Sequence, residues 1–280
     1  MAGMNYHRWS SLFRAYDLAL GYNRAILIVT ALGAALGFML AGGDFRARAI
    51  QTVVAGVTVF GAAALAKEVS PDAARAAVPA AVAALPLITL SPPLAPLGLF
   101  WLIGNARFLN RTTGLPPKMT DIIVLLLATA ALAWLVSPLC VLLMAMALVL
   151  DGLLPDGRRA HAGLGLLIAV AAAIWLTLDQ RPAAPPPWWL GAILLSIAIG
   201  FMPVILNSYQ VLSVGDATGR PLQAARVQAG QSFALSAGLF LASWLGVPGV
   251  LLLGGLWAAL LGVGVYHLLV GRARRAVPSL

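Results

Sequence analysis

Asn105-Ala-Arg107-Phe-Leu-Asn110-Arg111-Thr-Thr-Gly114-Leu-Pro116-Pro117-Lys118-Met-Thr-Asp121 is the densest run of hydrogen-bonding side chains in a sequence otherwise dominated by Ala, Leu, Val and Gly. Apolar segments lie on both sides of it, which puts it where membrane spans meet water. The rest of the composition agrees. Of 280 residues, 61% are hydrophobic and 10% charged, and the mean hydropathy is +0.93. A soluble domain carries about 25% charged residues, so most of this chain has no need of water. The apolar segments are apolar all round rather than alternating, which excludes a transmembrane barrel.

The fold class expected is therefore all-α, a polytopic transmembrane helical bundle in one domain from residue 25 to 270. The spans expected are Ala25–Leu40, Ala49–Ala66, Ile122–Val136, Pro138–Leu154, Gly163–Leu178, Trp189–Leu206, Ser232–Leu245 and Val250–Val270. Residues 74–104 are interrupted by Pro79, Pro86 and Ser91-Pro-Pro-Leu-Ala-Pro96. They read as a hairpin of two short spans or a re-entrant pair, making about ten membrane segments in all. Gly33 and Gly37 give the first span a small-xxx-small face for close helix contact. Trp188 and Trp189 open a later span as an interfacial aromatic pair.

Residues 1–24 read as a cytoplasmic interfacial segment. Trp9, Phe13, Tyr16 and Leu20 recur at helical spacing, with Arg8, Arg14 and Asp17 between them, as in an amphipathic helix lying on a membrane. Residues 271–280 form a basic tail containing Arg272, Arg274 and Arg275.

The net charge of +9 comes from 18 Lys+Arg against 9 Asp+Glu. Its distribution points to membrane orientation and anionic lipid rather than nucleic acid. Basic residues gather in the N-terminal arm, in Asn105–Asp121, at Arg158-Arg159, at Arg220 and Arg226, and in the tail. The turns at 91–96, 137–138 and 246–249 carry no charge. This alternation expects both termini in the cytoplasm of a multi-pass membrane protein, with a bacterial inner membrane as its location. Arg46 and Arg48, and Arg181, run against the pattern.

Candidate site residues lie on that cytoplasmic side. Arg107 and Arg111 are four apart, with Asn105 and Asn110 close by; on one helix face they would clamp a phosphate or carboxylate. Lys118 adds a third cation. Thr112-Thr113-Gly114 is expected to stop the helix and Asp121 to cap the next. Asp151 closes an apolar run, and an intramembrane acid is a functional candidate. With Asp156 and His161 nearby in sequence, it could serve a divalent ion; equally, Asp156-Gly157 is ordinary turn chemistry beside Arg158 and Arg159. The long polar loop from Asn207 to Gln231 supplies Asp216 and Arg220, then a short surface helix containing Arg226. Ser70, Pro71 and Asp72 read as a helix start, and His267 as a hydrogen-bonded interfacial residue. Cys140, alone in its type, is a packing residue.

No HExxH, GxSxG or Walker A pattern occurs, which argues against a zinc protease, a hydrolase with the usual serine elbow and an ATPase. In size, in a helical membrane fold with cytoplasmic polar loops and in an acidic cluster after the second span, the chain resembles the UbiA-type membrane prenyltransferases. The resemblance implies an Asn-Asp-x-x-Asp run there and a second aspartate-rich run later, both binding magnesium-diphosphate. Here the first place reads Lys67-Glu68-Val69-Ser70-Pro71-Asp72, and Tyr209 to Arg220 carries only Asp216. The likeness is one of architecture, and the sequence names neither a reaction nor a cofactor.

The function expected is binding or processing of an anionic lipid-linked or isoprenoid-type substrate at the cytoplasmic face. A transporter or permease subunit, and a structural or assembly subunit of a membrane complex, are the alternatives. Membrane lipids are the expected partners, with other membrane-protein subunits as a second class.

Overall fold

The computed structural model of the chain describes residues 10–12, 16–178 and 185–276, the last six as helical backbone alone. Among these the secondary structure is helical apart from one isolated antiparallel bridge, Val214 to Pro221. The helices are α1 (Gly21–Leu40), α2 (Phe45–Val69), α3 (Ala77–Ala84), α4 (Ala95–Asn110), α5 (Met119–Leu135) and α6 (Leu139–Leu153). They continue with α7 (Arg159–Leu178), α8 (Trp188–Asn207), α9 (Ala224–Leu245), α10 (Val247–Leu252) and α11 (Gly254–Ala276).

Four of them, α1, α2, α7 and α8, are long and apolar enough to cross a membrane. At 1.5 Å per residue, 20 residues match a hydrocarbon core of about 30 Å. These four mark the chain as a helical transmembrane protein. Met119–Leu135, Leu139–Leu153 and Gly254–Val270 are apolar but shorter.

Several boundaries differ from the expected ones. Arg8, Trp9, Phe13 and Arg14 of the expected amphipathic arm, and Asp179 and Arg181, lie outside the described residues. Leu18 and Ala19 form a turn, and α1 begins at Gly21, ahead of Ala25. The 74–104 pair is asymmetric: α3 has 8 residues and α4 has 16. Eight residues reach only about 12 Å. Ser70 ends α2 and leads into a 3-10 segment, Pro71–Ala76, without a side-chain cap; Pro71 takes the first position as expected. The polar loop after α8 is shorter than expected, because α9 begins at Ala224 and runs unbroken to Leu245. The expected final span is broken at Leu253, and α11 carries the helix on to Ala276.

The chain divides into two compact units. One comprises Tyr16–Leu99, Ala184–Asn207 and Gly238–Leu280. Here small residues set the packing. A Cβ added at Gly33 would lie 2.8 Å from Val59 Cγ2, and one at Gly37 2.6 Å from Ala55 Cβ. α1 and α2 therefore meet along the glycine stripe that the sequence marks. Gly262 of α11 likewise lies against Ala80 of α3. Polar groups in this unit are tied down locally. Ser70 Oγ lies 3.0 Å from His267 Nε2, and Lys67 Nζ sits over the rings of Tyr16 and Tyr22.

The other unit comprises Met1–Ala15, Phe100–Ala183 and Ser208–Ala237. Trp101 of α4 donates through Nε1 to Thr129 Oγ1 of α5 at 2.8 Å, and its ring packs near Phe233 of α9. α6 and α7 approach closely through Gly152 against Ala162 and Gly165 against Ala145 and Val149. The polar loops of this unit hold the candidate site.

Gly37→Val is expected to force α1 off α2, with a clash at Ala55 and Gln51 costing about 1–3 kcal/mol. A lowered thermal midpoint in detergent, absent in the exposed Gly42→Ala control, is the measurement.

Candidate functional site

The site starts from the way α4 ends. Asn110 is its last residue, and Arg111 turns into the left-handed region at φ +51°. Thr112-Thr113-Gly114 then completes the stop that the sequence marks, with Gly114 at φ +79° and its amide on Arg111 O at 2.7 Å. Arg107 and Arg111 therefore do not share a helix face. Arg107 Nη1 donates to Leu12 O at 3.0 Å. Arg111 swings the other way, to Asp151 Oδ1 at 3.0 Å and Asp156 O at 3.1 Å.

Asp151 is the centre of the arrangement. It is fully buried near the end of α6. Its Oδ1 accepts from Arg111 Nη2 and from Arg226 Nη1 at 2.8 Å, and its Oδ2 from His161 Nδ1 at 2.7 Å. Flanked by two guanidiniums, the carboxylate is ionised and can only accept, so Nδ1 of His161 carries the proton. The His161 ring lies 5.8 Å from that of Phe108.

Arg226, which the sequence suggests is on a surface helix, is 2% exposed in the first turn of α9. It also bonds Pro155 O through Nε and Nη2, at 2.9 and 2.6 Å, and Leu109 O at 3.1 Å. Burial draws its pKa down, against the Asp151 hydrogen bond, and an arginine so placed still keeps its charge. Its exposed neighbours Gln223 and Ala225 make the turn look like surface. No local pattern distinguishes it. The one available signal is that Asp151, alone in an apolar run, demands a partner from elsewhere in the chain.

Asp156 sits at φ +58° in the turn after α6, and its side chain accepts from Gln223 Nε2. Gly157 is required there because a Cβ would lie 1.9 Å from Asp151 O. The turn chemistry read from Asp156-Gly157 is what forms.

Asp121 does more than cap. It is the third residue of α5, and its Oδ2 accepts from the Lys118 amide at 3.0 Å. The same oxygen accepts from the amide and hydroxyl of Ser11, at 3.0 and 2.6 Å. Thr113 Oγ1 donates to Ser11 O at 2.7 Å. The Asn105–Asp121 stretch thereby anchors residues 11 and 12. Burial pushes the Asp121 pKa up, but hydrogen bonds from Ser10, Ser11 and Lys118 outweigh it and hold the carboxyl below its ordinary range.

The remaining candidates scatter. Asn105 is buried in α4, donating to Trp101 O at 2.8 Å. Lys118 leads into α5. Asp216 is exposed, and its amide bonds Thr112 O at 3.2 Å, with Ala217 on Thr113 O, so the loops after α4 and α8 interlock. Gly215 lies directly against Gly114.

What the interlock leaves is a polar cavity of about 160 Å³ lined by Asn110, Arg111, Asp156, Arg220, Gln223 and Arg226, among others. It brings Asn110, Arg111 and Arg220 of the expected site together, and adds Arg226. Asp151 supports it through the half-buried Arg111 and the buried Arg226. A larger cavity of about 440 Å³, between α8 and α11, is lined almost wholly by apolar side chains and offers no comparable chemistry.

Comparison with protein-family models, with curated proteins and with solved structures found no match.

Two outcomes test this geometry. Arg226→Met alone strands a buried carboxylate and should cost about 3–5 kcal/mol, whereas Asp151→Leu/Arg226→Met should recover most of the loss; chemical denaturation in detergent reads both. Asp121→Asn should lower the thermal midpoint at neutral pH. Because the folded pKa of Asp121 is depressed, its contribution is full above the unfolded value of about 3.9 and fades as pH falls below it. The difference between variant and wild type should shrink accordingly in acid.

Proposed function

We propose that this chain is a multi-pass membrane protein that binds the charged group of an anionic, lipid-linked or isoprenoid-type amphiphile on its cytoplasmic face. The observation that carries the reading is the cavity lined by Arg111, Arg220 and Arg226. Guanidinium forks match the planar, multi-oxygen edges of phosphates and carboxylates. Arg226 and Arg111 are fixed in place by Asp151, so little side-chain entropy remains to be lost on binding. Arg220 is exposed at the mouth.

The orientation has support of its own. The loops at 111–118, 154–158 and 208–223 carry the basic residues that mark a cytoplasmic side. The first two are separated by the helix pair α5 and α6, and the last two by α7 and α8. Even numbers of crossings return all three loops to one side. Ser11 and Leu12 hydrogen-bond within the same stretch, which supports the same side for this N-terminal segment. A bundle of about ten membrane segments, two of them the short α3–α4 pair, fits this count. A bacterial inner membrane is the proposed location and its lipids are the proposed surroundings.

Native mass spectrometry of the detergent-purified protein, with stepped activation, tests the reading. A retained anionic lipid or isoprenoid, lost from the exposed-residue variant Arg220→Ala, is the expected result. Retention unchanged in Arg220→Ala would sink the site. A protein that retains no anion but carries a defined partner subunit would move the assignment to an assembly role.

A further inference from the structure

Resting on that reading of the cavity, we infer that the group it takes is a phosphate or diphosphate, bound directly by guanidinium N–H groups without a bridging divalent cation. The first support is a donor count. A guanidinium offers five N–H groups. Arg226 commits all but one, to Pro155 O, Leu109 O and Asp151. Arg111 commits one on Nη1 and one on Nη2, while its Nε is buried without a partner among the described residues. Arg220 lines the same cavity with no side-chain hydrogen bond or ion pair among the described residues. The donors left over outnumber the roughly four acceptor positions of a carboxylate. The three outer oxygens of a phosphate can take more of them, with a charge of about −1.5 to −2 at neutral pH.

The second support is the state of the acids. A bridging magnesium or calcium would need carboxylate oxygens. Asp151 is fully buried with both oxygens occupied, by two guanidiniums and His161. Asp156 is the other acid here, and one monodentate carboxylate makes a poor divalent site. Among the described residues no three His, Cys, Asp or Glu side chains gather closely enough to form another. The cavity, about 160 Å³, has room for a phosphate or diphosphate group.

Asp156 distinguishes the two kinds of site. In a metal-bridged site Asp156 would be a ligand, and its loss would weaken binding. In a guanidinium site it only opposes the anion, and its loss should tighten binding.

The experiment is isothermal titration of the full-length detergent-purified protein with inorganic diphosphate, farnesyl phosphate and sodium acetate, each in EDTA and in magnesium. Expected are binding of the phosphates in EDTA, weakening of about tenfold or more in Arg220→Ala, and tightening of a few-fold in Asp156→Asn. Farnesyl phosphate stronger than diphosphate identifies a lipid-linked ligand, and equal affinity a free phosphate; both support the inference. Phosphate binding that requires magnesium, weakens in Asp156→Asn or is matched by acetate overturns it while leaving the anion site standing. No binding of any anion by the folded protein overturns both.

Discussion

A carboxylate with no exposure to water has to be neutralised within the protein, and Asp151 imposes that requirement on half of this chain. An unpaired buried charge costs several kcal/mol even after relaxation. Two arginines from segments 40 and 75 residues away answer it, together with a histidine from the next helix. Each answer constrains backbone. Arg111 reaches Asp151 from a left-handed residue just past the end of α4, and Arg226 reaches it because α9 begins early enough to put a first-turn residue there. Gly157 lets the turn after α6 fold back onto Asp151 O.

The functional reading follows from the same constraint. Arginines recruited to neutralise a buried acid are rigid, and both of them line the cavity where the loops meet. A rigid guanidinium loses little freedom on binding an anion. The charged loops are thus held as a unit by one internal ion network, and the proposed ligand site is its outer surface. The second compact unit is built differently, by glycine and alanine contacts between α1, α2, α3 and α11. In a hydrocarbon environment such close approach replaces the hydrophobic effect as the source of helix association.

Much of the helical framework is legible in composition and punctuation. Long apolar runs, the glycine pair at 33 and 37, the Trp188-Trp189 start and the Thr-Thr-Gly stop all correspond to features of the fold. The site is less legible. Asn110, Arg111 and Arg220 can be named because they stand out against an apolar background, and Asp151 because an acid at the end of an apolar run is costly. Arg107 belongs with them in spacing but not in space, since the helix ends before Arg111 and the two side chains diverge. Arg226 looks like a surface residue because its exposed neighbours are polar or small, and periodicity reports a helix face without reporting what packs on it.

What the sequence determined by itself is the helical membrane class, most helix ends and which loops carry the charge. These depend on local hydropathy, on glycine and proline geometry and on interfacial charge, all of which are properties of short segments. Only the tertiary structure decided which charges pair. Asp151 could have served an ion with Asp156 and His161; instead two distant guanidiniums occupy it, because pairing energy depends on separation in space and on burial. Neither is written in the spacing of residues along the chain.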